Sequence, residues 1–335
     1  MLQVSILDDY AGLALESADW AQLDGLAEIT VLREHVPATE IAARLGRFDV
    51  LCTMRERMAM PRAFFGALPR LKLVTIVGRS LGNLDAEAAT EHGVAVVHPG
   101  FDFGGPEAAR SVHATPELAW GLVLSAVRHI AAEDRRVRQG LWQGTVGTIL
   151  HGRTLGLLGL GNAGRLVAGY GAAFGMEVIA WSQNLTDEAA QAGGATRVER
   201  DALFARSDVL SIHLQLSERT RGLVGAPELA RMKPGAVLIN TSRGPIVDEA
   251  ALVRALSDGM LGGAGLDVFG EEPMPADHTL CCLPNVTLTP HLGYATREIM
   301  RLFYSDMPEA VAAFARGAPI RVVNPAALTH PRHAR

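Results

Sequence analysis

Thr154-Leu-Gly-Leu-Leu-Gly159-Leu-Gly161-Asn162-Ala163-Gly164-Arg-Leu-Val167 is the stretch that decides the fold. Its apolar run from Leu155 to Leu160 suits a strand buried on both faces, and Gly159, Gly161 and Gly164 have the G-x-G-x-x-G spacing of a dinucleotide site. Gly159 permits a tight turn, Gly161 lets the backbone approach a pyrophosphate, and Gly164 lets the next helix pack on the strand. The free N–H groups of that helix, opening at Asn162 and Ala163, then face the phosphates. In a chain with 35 glycines the spacing alone is weak, and a purely structural strand-to-helix turn fits it as well. Glu177-Val-Ile-Ala-Trp181 decides between the two, because a second strand arriving there after a helical stretch makes a βαβ crossover.

The same alternation extends in both directions. Upstream, apolar runs at Val4–Leu7, Ile29–Leu32, Val50–Cys52, Leu73–Val77 and Val94–Val97 are separated by amphipathic stretches such as Ala38–Leu45, opened by Thr39. Pro99 to Pro106 reads as a loop, and Thr115-Pro116-Glu117 as the start of one long helix reaching about Gly140. Downstream, Val209–His213, Ala236–Asn240, Gly265–Phe269 and Val286–His291 read as strands, followed by a helix from about Thr296 to Arg316 and a tail. The expected fold is α/β, with two doubly wound parallel-sheet domains, one inserted in the other. Residues 1–112 and 291–335 form the outer domain and 113–290 the inserted one.

Composition narrows the partners. With 335 residues, 48% hydrophobic, the chain can bury two cores. Met1-Leu-Gln-Val-Ser-Ile-Leu-Asp8-Asp9 reads as a first strand and not a signal peptide, and no apolar run approaches the roughly 18 residues of a membrane span. Cys52, Cys281 and Cys282 match neither a disulfide framework nor a metal spacing, so a reducing cytoplasm is expected and no metal. A net charge of −5 without a basic block argues against nucleic acid.

In an open parallel sheet, ligands bind outside the carboxyl ends of the strands. The polar residues there are His213, then Asn240-Thr241-Ser242-Arg243, then Asp267 with Glu271 and Glu272, then His291 with Gly293. Taken singly, Arg243 also reads as a surface pair, Glu272 as part of a solvated turn before Pro273, and His291 as a satisfied histidine. Together they suit hydride transfer between a 2-hydroxy acid and a 2-keto acid. Arg243 offers a permanently charged fork for the substrate carboxylate. His291 would supply or remove the hydroxyl proton, and Glu272 beside it would favour the protonated imidazole and fix its tautomer.

Gly159-Leu-Gly-Asn-Ala-Gly164, Phe174-Gly-Met176, Met232-Lys-Pro-Gly235, Asn240-Thr-Ser-Arg-Gly-Pro-Ile-Val-Asp-Glu249, Gly265-Leu-Asp-Val-Phe269 with Glu272-Pro, and Pro290-His-Leu-Gly293 resemble the signature segments of the D-isomer-specific 2-hydroxyacid dehydrogenases. The resemblance covers nearly the whole length. It implies a Rossmann domain inserted in a flavodoxin-like catalytic domain, and a homodimer built through the Rossmann domain. It also implies an NAD(P)-dependent reaction with Arg243, Glu272 and His291 as the catalytic set. Asp267 would hold the nicotinamide carboxamide, and Gly159 to Gly164, Ser182, Gln183, Asn184, His213, Thr241, Ser242 and Gly293 would complete the coenzyme site. A regulator of the corepressor type, which senses dinucleotides on the same fold, is the alternative. Formate dehydrogenase would require glutamine where Glu272 stands.

Three departures from the family pattern bear on specificity. Asn162 stands where many members have arginine. The substrate loop is the shorter Val77-Gly78-Arg79-Ser-Leu-Gly-Asn83-Leu-Asp85, which with Arg55 and Arg243 supplies the candidate substrate contacts Arg55, Gly78, Arg79 and Arg243. At the end of the second strand, Ser182-Gln183-Asn184 offers neither the acidic residue that favours NAD nor the arginine that favours NADP, so weak discrimination between the two is expected.

Overall fold

The computed structural model describes residues 1–54, 57–77, 81–98 and 106–333. Two parallel sheets organise them. The first contains β1 (Leu2–Ile6), β2 (Ala27–Val31), β3 (Val50–Met54), β4 (Leu73–Val77) and β5 (Ala95–Val97), in the order β2-β1-β3-β4-β5. That is the flavodoxin-like arrangement, with its switch point between β1 and β3. The second contains β6 (Thr154–Leu158), β7 (Glu177–Trp181), β8 (Thr196–Arg197), β9 (Val209–Ile212), β10 (Val237–Asn240), β11 (Gly263–Leu266) and β12 (Val286–Leu288). Its order, β12-β11-β10-β9-β6-β7-β8, is the Rossmann order with one added edge strand.

The continuous apolar runs have the physical meaning expected of parallel strands. All five residues of β6 are buried; Leu158 packs with Phe204, Ile212 and Leu238 on one face, and Leu157 with Val123, Val167 and Ile239 on the other. Each such leucine stabilises the sheet by about 1.5–3 kcal/mol through removal from water. In the first sheet Phe48, Leu51, Phe65 and Ile76 form the corresponding buried layer. The two-residue edge strand β8 is not legible from periodicity, which needs a longer window.

The chain divides into two compact units, Met1–Ala109 with Thr296–Arg335, and Arg110–Ala295. The junctions read from sequence, at 113 and 291, differ from these by a few residues, and the second difference places His291 in the same unit as the seven-stranded sheet. Several helix expectations need correction. The long helix is two, Ala114–Arg128 and Ile130–Arg138, because His129 takes a left-handed backbone with φ of 54°. The helix expected from Thr296 to Arg316 is likewise two, Arg297–Ser305 and Met307–Ala315. Pro308, in the first turn of the second, has no N–H to donate to the preceding turn. Ala38–Leu45 opens as a 3-10 turn, Ala38–Glu40, with Pro37 and not Thr39 at its cap. Among the described residues no helix is long and apolar enough to cross a membrane.

Candidate active site

Strand register assembles the site. Leu158 of β6 pairs with Trp181 of β7 and Ile212 of β9, Asn240 of β10 pairs with Ile212 and Leu266, and Leu266 of β11 pairs with Leu288 of β12. The residues one step further along therefore form a single row at the carboxyl edge: Ser182, Gly159, His213, Thr241, Asp267 and Thr289. Backbone bonds continue the ladder through this row, with Gly159 N–H to Trp181 O at 2.9 Å, His213 N–H to Leu158 O at 2.8 Å and Asp267 N–H to Asn240 O at 3.0 Å. Linear order alone leaves the neighbourhood of these residues open.

The glycine turn has the geometry its spacing implies. Gly159 has φ of 103°, and a Cβ there would lie 2.8 Å from the His213 carbonyl oxygen. At Gly164 a Cβ would lie 2.3 Å from Gly159 O, so the helix Asn162–Ala173 starts in backbone contact with the turn. At Gly161, the N-cap of that helix, a Cβ would meet no described residue within 4 Å, so the turn is open on that side. Further along the row, the buried Thr241 hydroxyl has no partner among the described residues. An open cradle of amides and an orphaned hydroxyl are what a dinucleotide would fill.

Between these lies His213, whose imidazole is pushed down to about 4 by burial and is therefore neutral at neutral pH. One ring nitrogen is 2.9 Å from Ser211 Oγ. Ser182 is half-buried while Gln183 and Asn184 are exposed, so the end of β7 presents neutral hydrogen-bonding groups. Arg197, one strand further, donates to Leu185 O at 2.9 Å and pairs with Glu199 at 3.1 Å. Its charge is thus already engaged by its own chain.

On the other side of the row the loop after β10 is braced by side chains. Ser242 Oγ donates to Ile212 O at 2.8 Å, Asn240 Oδ1 accepts from Ser242 N–H at 3.0 Å, and Arg243 Nη1 donates to Ser242 O at 2.7 Å. Gly244 follows, where a Cβ would lie 2.0 Å from the carbonyl of Phe269. The arginine turn and the loop after β11 are pressed backbone to backbone. That loop carries Glu272, whose Oε1 accepts the Phe269 N–H at 2.9 Å and whose Oε2 is 2.6 Å from Nδ1 of His291. Burial by itself raises the Glu272 carboxyl. The His291 hydrogen bond and charge, the Phe269 N–H and the charge of Arg243 outweigh it, holding Glu272 below the usual carboxylate range.

His291 adopts φ of 56°, and its ring meets Tyr294 edge-on at 5.7 Å. Asp267 holds the segment around it: Thr289 Oγ1 donates to Oδ1 at 2.6 Å, Leu292 N–H to the same oxygen at 2.7 Å, and Gly293 N–H to Oδ2 at 2.8 Å. Gly293 O in turn accepts from Thr115 Oγ1 at 2.8 Å, so Thr115, expected as a helix cap, ties this turn instead. The structure brings together Arg243, Glu272 and His291. It also adds Thr289, Tyr294 and Thr115, none of which the sequence marks for this site. Arg55, Gly78 and Arg79 lie outside the described residues. With Nδ1 bound to a carboxylate, Nε2 is the nitrogen His291 can offer to a reacting oxygen, and the site can exchange a proton there while an anion is held nearby.

Comparison with known proteins agrees with this chemistry. Residues 120–293 match the family model described as D-isomer specific 2-hydroxyacid dehydrogenase, NAD binding domain. The glyoxylate reductase of Aeropyrum pernix is 40% identical over 267 residues, which cover 76% of this chain and 77% of that one. The D-3-phosphoglycerate dehydrogenase of Mycobacterium leprae is 37% identical over 275 residues, 82% of this chain but 50% of the longer relative. Among solved structures, a phosphoglycerate oxidoreductase from Vibrio cholerae superposes with a TM-score of 0.84 at 32% identity, covering 95% of this chain and 100% of that one. The chain belongs to the D-isomer-specific 2-hydroxyacid dehydrogenase family. Its NAD-binding unit is the one built on the seven-stranded sheet.

Proposed function

We propose that this enzyme reduces a small 2-keto acid to the D-2-hydroxy acid, with glyoxylate the first substrate to try because the glyoxylate reductases match most of the chain. The observation that carries the reading is the 2.6 Å contact between His291 Nδ1 and Glu272 Oε2, with Arg243 close enough to bias the same carboxylate. When bound, the nicotinamide supplies the hydride. Arg243 holds the substrate carboxylate and polarises the keto oxygen. His291 delivers a proton from Nε2 to that oxygen, and Glu272 stabilises the imidazolium beforehand and fixes its tautomer.

Gly159, Gly161, Asn162, Ala163 and Gly164 would hold the coenzyme pyrophosphate. Ser182, Gln183 and Asn184 would meet the ribose, and His213, Thr241, Ser242, Asp267 and Gly293 would hold the nicotinamide half. Asp267 has lone pairs for about four donors and three are taken, which leaves one for a carboxamide N–H. Both NAD and NADP are accepted. Arg55, Gly78 and Arg79 are the further candidate substrate contacts.

The working form is a cytoplasmic homodimer joined through the NAD-binding unit. Residues 141–150 run without helix or strand and leave Trp142, Val146 and Ile149 at 81%, 85% and 77% exposure, beside Ile130 and Val137 at 54% and 55%. A second copy of the chain would cover this apolar arm, and sedimentation of the purified chain reads its mass directly. The reaction is tested by a panel of 2-keto acids with NADH and NADPH, following loss of reduced-coenzyme absorbance. No turnover on any 2-keto acid would overturn the reading.

A further inference from the structure

The loop that carries Glu272 has no ladder of its own. From Asp267 to His278 the backbone forms neither helix nor strand, so the carboxylate is placed by side-chain ties. Two of these ties mirror each other. Glu272 takes the Phe269 N–H with one oxygen and His291 with the other. Glu249 takes the next amide, Gly270 N–H, with Oε2 at 3.0 Å, and reaches Nε2 of His278 with Oε1 at 3.1 Å. Adjacent peptide N–H groups are thus held by two carboxylates, each bound to a histidine.

The outer pair is itself anchored. Leu280 N–H donates to His278 Nδ1 at 3.3 Å, which leaves the ring proton on Nε2 to donate to Glu249. Glu249 is the first residue of the helix Glu249–Ser257, whose start is capped by Asp248 accepting from Ala251 N–H at 3.0 Å. His278 sits at the cap of the 3-10 turn Thr279–Cys282. Between the two pairs lies the Phe269–Gly270 peptide, against which Gly244 packs with no room for a Cβ. Moving that peptide would shift Glu272 against His291 and disturb the turn that presents Arg243.

We propose that Glu249 and His278 are positioning residues for the hydroxyacid reaction, a second acid–histidine pair that sets Glu272 on His291 through the backbone of the loop between them. The inference rests on the acid/base reading of His291 given above. A pair serving stability alone would also tie the loop, so the test needs readouts that stability does not move.

In Glu249→Gln the amide keeps one oxygen for Gly270 or His278 but cannot accept from both. The expected loss in kcat for keto-acid reduction is on the order of tenfold, the scale of a small misplacement of a catalytic group. Coenzyme KM should stay within about twofold, since the coenzyme cradle is untouched. The alkaline limb of the reduction profile should move to lower pH, in the direction of Glu272→Gln but less far. In the double variant Glu249→Gln with Glu272→Gln, the outer change should add nothing to the inner one. His278→Ala leaves Glu249 on Gly270 and should give a smaller shift of the same sign, which keeps the test open if Glu249→Gln folds poorly. Wild-type kcat and pH profile in both single variants, with only a lowered Tm, would overturn the positioning role. Retained turnover in His291→Ala would instead overturn the acid/base reading beneath it.

Discussion

Asp8 and Asp267 stand at the carboxyl ends of strands in the two different sheets, and both are 1% exposed. Asp267 spends both oxygens on Thr289, Leu292 and Gly293. Asp8 has φ of 56°, and its Oδ1 meets Tyr10 OH at 3.1 Å and His35 Nδ1 at 3.3 Å, while its Oδ2 has no partner among the described residues. An unmet buried acceptor costs about 1–3 kcal/mol. Residue type, burial and place in the topology are shared, yet one aspartate organises the His291 turn and the other keeps an unused acceptor. What separates them is the set of donors brought to each by its surroundings.

The strongest test of that contrast lies at the turn Asp267 holds. His291→Ala should lower turnover roughly 10²–10⁴-fold, the range of general acid/base loss, with coenzyme affinity nearly unchanged. Glu272→Gln keeps the shape but removes the charge that favours protonated His291, so keto-acid reduction should fail at a lower pH than in the wild type. Because Glu272 is held below the usual carboxylate range, its support is present throughout the neutral region and lost only in acid. A pH–rate profile that Glu272→Gln leaves in place would break the pairing.

Arg243→Lys comes next. It keeps the charge and loses the two-pronged geometry, at an expected cost of about 2–5 kcal/mol in kcat/KM. Near-normal kinetics would remove the substrate carboxylate from this side of the site.

The two aspartates can then be compared directly by thermal melts. Asp267→Asn sets an amide N–H₂ against backbone or hydroxyl donors and should destabilise by about 1–3 kcal/mol. Asp8→Asn can direct its oxygen to Tyr10 and His35 and turns the amide to a position at which no described residue donates, so it should cost less. Equal losses would mean that the Oδ2 of Asp8 is satisfied after all.

The smallest effect expected is on coenzyme choice. With only neutral groups at the end of β7, the ratio of kcat/KM for NADH and NADPH should stay within about tenfold, or 1.4 kcal/mol. A hundredfold preference for NADPH would show Arg197 leaving Glu199 and Asp187, its partners at 3.1 and 3.7 Å, to read the ribose phosphate.

Much of this enzyme is legible in its sequence. The apolar runs of β1, β3, β4, β6, β7, β9 and β10, the Gly159 turn, the family, and the placing of Arg243, Glu272 and His291 just past strand ends all depend on patterns within a few residues. They can be read locally because burial on both faces of a strand and a tight glycine turn are local demands on side-chain type. The breaks at His129 and Asp306, the edge strand β8 and the roles of Thr115, Thr289 and Glu249 were decided only by the tertiary structure. The same holds for the row from Ser182 to Thr289, which is set by the strand order β12-β11-β10-β9-β6-β7-β8. The reason is the same in each case: pairing between strands and ties such as Thr115 to Gly293 or Glu249 to His278 join residues far apart in the chain. Spacing along a sequence carries no record of which distant donor will meet which acceptor.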